Sequence, residues 1–338
     1  MCGWFRSPPN EDMAELNRKL IYSVGVDIGG TKLSAAVVDC QGKVYAKLKV
    51  PVQKESAKKS VQQLAEAIER VVTDAGKPWT SISGIGVAIP GIYFAGSGKA
   101  WAPNLWGWDE IPLRDELQSK VSAGLVIDSD RAAYVLGEQW MGIARGLKDV
   151  VFLALGTGIG AGIITGGRLC RGAGDVSGAV GWFALDSGKK AIYKQMGCFE
   201  AEAAGPSVAR HAATRVAAGE HSLLTEMVGG NLDLITAETV VEAARKHDSL
   251  AQRLLDETAK WIGMGVANII SLLNPEMVVL GGGLMQAGDL LIDSIRRESL
   301  EWAQPMAAKQ VRIELAQLGE DAGLLGAARL VFLQDPSP

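Results

Sequence analysis

The sequence has few cysteines, and their spacing suggests neither pairing nor a metal centre. Four cysteines occur in 338 residues, namely Cys2, Cys40, Cys170 and Cys198. Such scattering excludes a disulfide framework and is typical of a protein from a reducing compartment.

Long apolar runs and an excess of basic residues are also missing. No uninterrupted apolar segment reaches the roughly 18 residues that indicate a membrane-spanning helix. The charged N-terminus has no apolar stretch of the kind found in signal peptides. The formal net charge is −4, and nucleic-acid surfaces need clustered lysine and arginine. We therefore expect a cytoplasmic protein that binds neither membranes nor nucleic acid.

Glycine, in contrast, is abundant and clustered between apolar runs. The chain contains 41 glycines, and its length is sufficient for two domains with full cores. Two strand–glycine turn–strand units, at Val24–Val38 and Val151–Ile164, each open a segment in which strands and helices alternate. This internal similarity predicts two related α/β domains that face each other across a ligand-binding cleft.

The first glycine cluster is the motif DIGGTK. Gly29 and Gly30 have no side chains, so backbone N–H groups at this turn are free to approach phosphate oxygens. Thr31 adds a hydroxyl and Lys32 a cation, while Asp27 is placed to hold hydrated Mg²⁺. An ordinary β-hairpin turn is the alternative, but the flanking polar residues favour a phosphate site.

Two further clusters extend this pattern. LGTGIG, at Leu155–Gly160, repeats the strand–turn–strand arrangement, and VVLGGG, at Val278–Gly283, leads a buried strand into three glycines. Each alone fits a plain hairpin or a strand-to-helix loop, but the set suggests that one polyphosphate is bound from two sides. The candidate cofactor residues are Gly156, Thr157, Gly158, Gly160, Gly281, Gly282 and Gly283.

The ordered motifs resemble the superfamily of actin-like ATPases, which includes sugar kinases, heat-shock cognates and actin. The similarity is greatest to the ROK family, and it extends over Val24–Leu333 through ISGIGVAIPG, PNLWGW, the stretch from Asp130 to Glu138 and LGEDAGLLGAA. The resemblance implies an α/β fold of two RNase H-like domains with a central cleft, ATP and Mg²⁺ as cofactors, and a homodimer. We expect a polar tail at 1–20, a small domain at 21–130 with the C-terminal helix 322–338 packed back on it, and a large domain at 131–321.

The resemblance also implies roles for individual residues. Asp130 matches the catalytic aspartate, which accepts the proton of the attacking sugar hydroxyl. The alternative for Asp130 is an N-cap of a helix at 131–142. Asn104, Asp130 and Glu200 match sugar-contacting positions, although Glu200 also fits a surface helix residue beside Glu202.

Several family positions are changed in this chain. Ser129 replaces the asparagine before the catalytic aspartate. The segment Gly178–Trp182 reads GAVGW where the family has GEIGH, so Ala179 replaces a sugar-binding glutamate and Trp182 a histidine that contacts sugar and zinc. Trp182 either stacks on a sugar or fills the space of a lost zinc site. Cys198 alone remains of the cysteine cluster, and no histidine has ligand spacing with it, so we predict no structural zinc.

The sequence as a whole predicts an ATP-dependent kinase for a small sugar or polyol other than plain glucose. A non-catalytic sensor of nucleotide or sugar is the alternative. A repressor is disfavoured, because only about twenty residues precede the first strand and a winged helix-turn-helix needs more. The acceptor, the hydroxyl phosphorylated and the use of polyphosphate in place of ATP stay open.

Overall fold

The computed structural model describes residues 21–334, which form two five-stranded sheets, one two-stranded sheet, and the helices around them. The predicted tail at 1–20 and the end of the predicted C-terminal helix, residues 335–338, lie outside the described residues. In the N-terminal half the elements are β1 (Tyr22–Ile28), β2 (Lys32–Asp39), β3 (Val44–Pro51), α1 (Ala57–Asp74), β4 (Ile82–Ile89), β5 (Ile92–Phe94), β6 (Lys99–Trp101), α2 (Leu113–Gln118) and β7 (Leu125–Ser129).

The C-terminal half begins with a helix that follows β7 without a loop. Its elements are α3 (Asp130–Met141), β8 (Val150–Leu155), β9 (Ile159–Thr165), β10 (Arg168–Leu169), α4 (Tyr193–Met196), α5 (Cys198–Ala203), α6 (Gly205–Ala217), α7 (Leu224–Met227), α8 (Ala237–Arg245), α9 (Ser249–Leu273), β11 (Met277–Gly281), α10 (Gly288–Trp302), α11 (Pro305–Ala308), β12 (Arg312–Leu315) and α12 (Asp321–Phe332). None of the helices within residues 21–334 is long and apolar enough to cross a membrane.

The two five-stranded sheets have the same topology. The N-terminal sheet has the order β3-β2-β1-β4-β7 and the C-terminal sheet the order β10-β9-β8-β11-β12. In each sheet, the first three strands along the chain form antiparallel pairs. The two later strands are parallel to the opening strand, β1 or β8, and lie on its other side. The internal similarity predicted from the glycine motifs is therefore present in the strand order.

Local sequence signals explain where the helices begin and end. The Ser56 side chain accepts a hydrogen bond from the backbone of Lys59, so α1 begins at Ala57. The longest helix, α9, begins after Asp248, whose side chain accepts from Ala251 N. It ends where Asn274 adopts a left-handed conformation with φ 47°, directly before a proline.

Helix α12 packs on the N-terminal sheet although it follows the last strand of the C-terminal sheet. A Cβ atom at Gly86 would lie 1.7 Å from the backbone oxygen of Ala327, so only glycine permits this approach of β4 to α12. Leu324 and Leu325 pack with Ala36 of β2, which is also on that face. The packing agrees with a C-terminal helix that returns to the small domain, whose limits stay a prediction.

A buried carboxylate fixes the segment that leads into α12. Glu138 of α3 is completely buried. Its Oε1 accepts from Leu318 N at 2.8 Å, and its Oε2 accepts from Ile143 N at 2.9 Å. Because both oxygens have donors, Glu138 connects α3 to the start of α12, and both helices reach the candidate site.

Candidate active site

The first glycine turn connects β1 to β2 and carries Asp27 at its edge. Gly29 N donates to the backbone oxygen of Lys32 at 2.8 Å, which closes the turn. The Oδ1 atom of Asp27 is buried and has no hydrogen-bond partner among the described residues. Burial and, to a smaller extent, the nearby charge of Asp130 together raise the pKa of Asp27 to about 7.

A buried carboxylate oxygen without a donor is suited to a hydrated cation. A divalent ion favours the ionised form of Asp27 and would offset the cost of its burial. The donor set at this turn therefore fits the Mg²⁺ that the resemblance implies. Asp27 is the residue that would hold the ion.

Asp130 is the first residue of α3, but it is not the N-cap. The cap is Ser129, whose hydroxyl accepts from Ala132 N at 3.3 Å. The alternative that Asp130 caps the helix is therefore wrong. Ser129 performs that function, which leaves the carboxylate of Asp130 with one local hydrogen bond, from Arg131 N at 2.7 Å.

The surroundings of Asp130 raise its pKa towards neutral pH. Burial raises the pKa of Asp130, the Arg131 guanidinium and the Arg131 N–H counteract part of that shift, and the resulting pKa is about 6. A base with such a pKa is ionised at neutral pH and still has appreciable proton affinity. Asp130 thus has the electrostatic properties of a general base.

Tyr134 is a member of this site that the sequence reasoning missed. Burial raises the pKa of its hydroxyl well above 10, with added effects from Asp27 and Asp130. Tyr134 lies four residues after Asp130, and this spacing puts both side chains on the same face of α3. That spacing was the available signal. A Cβ at Gly323 of α12 would lie 2.3 Å from Asp27 Oδ2 and 2.8 Å from the Tyr134 ring, so the start of α12 closes this side.

The second glycine turn contacts Glu200. Gly156 N donates to Gly158 O at 3.0 Å, and Ile159 N donates to Glu200 Oε2 at 2.7 Å. Burial raises the pKa of Glu200, and the hydrogen bond from Ile159 lowers it in part. Glu200 is half-buried beneath the turn, so its alternative description as a surface helix residue is wrong. The sugar contact stays a prediction.

Packing explains several of the glycines in the second and third clusters. Gly160 lies inside β9, where a Cβ would be 2.4 Å from Arg131 Cδ, and a Cβ at Gly281 would be 2.2 Å from the Phe152 ring. Gly282 has φ 96°, which strongly favours glycine. Gly283 has open space around it. The cofactor roles predicted for these glycines stay predictions.

Two adjoining cavities contain most of the predicted cofactor residues. One of about 420 Å³ is lined by Asp27, Gly29, Thr31, Lys32 and the residues 281–283. The other, of about 730 Å³, is lined by Gly156 and Thr157 together with parts of α6 and α8. Gly283 and Gln286 line both cavities, so the third cluster connects them. The structure therefore brings residues from all three glycine clusters to one cleft.

The predicted sugar residues lie outside the linings of these two cavities. The backbone oxygen of Asn104 would be 3.6 Å from a Cβ at Gly30, which places the PNLWGW loop against the first turn. Trp108 of that loop is buried and donates to Ser60 Oγ at 3.0 Å, whereas Trp106 is exposed. Trp182 is 57% exposed, so it does not fill an interior space left by a zinc site.

The segment before α5 is held by a buried carboxylate. Glu202 accepts from Tyr193 Oη at 2.5 Å and pairs with Lys190 Nζ at 2.7 Å, and its other oxygen is 3.6 Å from His211 Nε2. Tyr193 Oη also lies 3.0 Å from Asp186 Oδ2, so its single proton is shared between the two carboxylates. Cys198 is buried. Within residues 21–334, no three His, Cys, Asp or Glu side chains are grouped as metal ligands, so these residues do not fit a zinc site.

Contacts between the two halves include further residues that the sequence did not single out. Arg171 Nε donates to Asp128 Oδ2 at 2.7 Å. The backbone of Ala95 donates to Asp175 at 3.0 Å, and Arg131 Nη2 donates to Gly91 O at 3.3 Å. These pairs are separated by more than 39 positions in the chain, so no local pattern reveals them.

Comparisons with known proteins agree with this arrangement. The chain is 31% identical over 319 residues to the glucokinase of Halalkalibacterium halodurans, a match that covers 94% of this chain and 96% of that protein. It is 29% identical over 326 residues to the xylose repressor of Caldicellulosiruptor bescii, with 95% of this chain and 80% of that protein covered. The structure of a ROK family glucokinase from Streptomyces griseus, in complex with glucose and AMPPNP, superimposes with a TM-score of 0.76 at 31% identity and covers 91% of this chain and 98% of that chain.

The sequence profile of the ROK family matches residues 23–333, which is nearly the whole chain. The fold predicted from the resemblance is confirmed by the solved ROK sugar kinases, which have two actin-like ATPase domains. The chain belongs to the ROK family and is a relative of its sugar kinases.

Proposed function

We propose that the protein is an ATP-dependent kinase that phosphorylates a hydroxyl group of a sugar or a sugar-like alcohol. The observation that carries this proposal is the pair Asp27 and Asp130 beside the first glycine turn, which lie close enough for the charge of Asp130 to contribute to the raised pKa of Asp27. Similarity to glucokinases supports the reaction class, and the Streptomyces griseus relative was solved with a nucleotide analogue.

The two adjoining cavities are our proposed donor site. The phosphates lie at the first turn, where Gly29 leaves room for them and Gly30 and Thr31 present N–H groups. Thr31 and Lys32 add a hydroxyl and an ammonium group. The base and ribose occupy the larger cavity beside Thr157. Asp27 would hold Mg²⁺, which when bound would neutralise charge on the phosphate oxygens.

Asp130 is our proposed general base. Its carboxylate accepts the proton of the acceptor hydroxyl while that oxygen forms a bond to the transferred phosphorus and the ADP oxygen leaves. Positioned proton transfer of this kind typically contributes about 10²–10⁴-fold to the rate. Because Ser129 caps the helix, the carboxylate of Asp130 is not needed for capping.

We propose that the acceptor contacts Asn104, Glu200 and Trp182 and is not plain glucose. The exposed ring of Trp182 is free to stack on the C–H face of a sugar, which typically contributes about 0.5–1.5 kcal/mol. Trp182→Ala is therefore expected to raise the KM of the acceptor by about two- to tenfold with an unchanged melting temperature. Rapid turnover of glucose would contradict the proposed selectivity.

A coupled ADP-release assay tests the proposed function. MgATP is offered with hexoses, amino sugars, N-acetylated sugars and polyols, and one strong acceptor would support the kinase. We also propose that the protein is a cytoplasmic homodimer that acts on a small molecule and binds neither nucleic acid nor membrane. Light scattering tests the dimer, cell fractionation tests the location, and a DNA shift assay tests nucleic-acid binding.

A non-catalytic sensor is the second candidate, and Ala179 and Trp182 favour it because both replace family sugar contacts. The match to a xylose repressor shows that the relatives of this chain include a regulator. Binding of ATP without turnover of any acceptor in the panel would support this candidate. The retained Asp27 and Asp130 favour the kinase.

A further inference from the structure

The hairpin of β2 and β3 carries a pair of lysines beside the first glycine turn. Lys49 pairs in register with Ser34 across the hairpin, so their side chains share one face of the sheet. Lys49, Ser34 and Lys32 all line the 420 Å³ cavity that also contains Asp27. Lys49 lies seventeen positions beyond the DIGGTK motif, and the motif therefore does not account for it.

A single carboxylate serves both lysines. Lys32 Nζ is 3.4 Å from Glu320 Oε1, and Lys49 Nζ contacts Glu320 Oε2. Glu320 directly precedes α12, and its side chain is 70% exposed. Two ammonium groups share one carboxylate at this wall of the cavity, so Glu320 does not pair exclusively with either lysine.

We propose that Lys49, together with Lys32, binds the phosphate chain of the donor, and that this chain displaces Glu320 from the two ammonium groups. The ligand is a linear phosphoanhydride, which ATP and inorganic polyphosphate both supply. This inference rests on the proposed function, since it adds a residue to the same donor site.

The exposure of the three side chains makes that exchange easy. The Lys32 and Lys49 side chains are 58% and 39% exposed, and ion pairs so accessible to water contribute little to stability. A phosphate chain carries several negative charges and hydrogen-bond acceptors, whereas Glu320 carries one charge. The chain therefore competes effectively for the ammonium groups, and ionic strength weakens its binding.

The chain offers a matched control on the same strand. Lys47 lies two residues before Lys49, so it is on the same face of β3, and it pairs with Asp321 next to Glu320. Its side chain is as exposed as that of Lys49, at 39%, but it does not line the cavity. A comparison of Lys47 and Lys49 variants therefore distinguishes the loss of a surface lysine from the loss of a phosphate contact.

Calorimetry with ATP and with adenosine, on the full chain, tests the proposal. We expect Lys49→Met to weaken ATP binding by about five- to twentyfold and adenosine binding by less than about twofold. Lys47→Met leaves both affinities within about twofold, and Glu320→Gln tightens ATP binding at low salt. The effect of Lys49→Met shrinks as salt is raised.

The proposal is overturned if Lys49→Met binds ATP as Lys47→Met does, or if it weakens ATP and adenosine equally. A wild-type protein that binds polyphosphate but not ATP, with the same loss in Lys49→Met, would support the lysine site and refute the ATP donor. A wild-type protein that binds neither ligand would refute both.

Discussion

Replacement of Asp130 by asparagine is expected to abolish most of the activity and to stabilise the fold. The loss of the carboxylate removes the proposed proton acceptor, which should lower kcat by about 10²–10⁴-fold. The amide oxygen of asparagine is still able to accept the hydrogen bond that Arg131 N now donates to Oδ1. Ser129 continues to cap α3, so the helix start should be unchanged.

The gain in stability follows from the raised pKa of Asp130. Its value of about 6 in the folded protein lies above the ordinary 3.8, so the folded state binds more protons than the unfolded chain between these values. Ionised Asp130 therefore destabilises the fold increasingly as the pH rises through this window. Two pKa units correspond to about 3 kcal/mol, and solvent at the half-buried side chain reduces this to about 1–2 kcal/mol.

Thermal unfolding from about pH 4 to pH 8 measures this effect. We expect the Asp130→Asn protein to melt about 2–5 °C above the wild type near pH 8, with a difference that disappears towards pH 4. The reasoning is refuted if the variant keeps normal turnover, or if it shows no gain in melting temperature at the higher pH.

Asp248→Asn provides a control of opposite sign. Asp248 also stands at a helix N-terminus, where burial raises its pKa but hydrogen bonds from Ala251, Leu223 and Ser222 outweigh that effect and lower it. Its ionised form therefore stabilises the fold above its ordinary pKa, and this contribution is lost as the pH falls. Asp248→Asn should lower the melting temperature near pH 7 and leave kcat unchanged.

Three further outcomes are expected. Because the proposed base has a pKa of about 6, kcat/KM should fall about tenfold between about pH 7 and pH 5, and a flat profile would exclude it from the mechanism. Gly323→Ala inserts a methyl group 2.3 Å from Asp27 Oδ2 and should lower kcat by about 10–100-fold, while Gly124→Ala, which meets nothing within 4 Å, should have no effect. Tyr193→Phe removes the hydrogen bond to buried Glu202 and should cost about 1–3 kcal/mol in the free energy of unfolding, measured by urea denaturation with the wild type as reference.

The strand and helix pattern could be predicted because its signals are local. The apolar run before each glycine cluster and the alternation after it are sufficient to define β1, β2, β8 and β9. Helix starts are harder to predict, as the start of α1 at Ala57 shows. The capping residue Ser56 determines that start, and the apolar periodicity does not include it.

The role of Asp130 could not be decided from the local sequence. From the sequence alone, an aspartate before a helical segment fits an N-cap as well as a base, because both occur at the same place in the chain. The structure separates the two roles by assigning the cap to Ser129. Likewise Glu200 fits a surface helix, until its side chain is seen to accept the backbone N–H of Ile159.

The sequence by itself determined the α/β class, the two related halves and the glycine turns, because these depend on composition and short-range periodicity. The tertiary structure alone decided which side chains meet. Tyr134 and Gly323 enclose Asp27, and Glu320 pairs with two lysines of the N-terminal hairpin. These contacts join residues that are more than a hundred positions apart in the chain. Such residues come together only because α12 returns to pack on the first sheet.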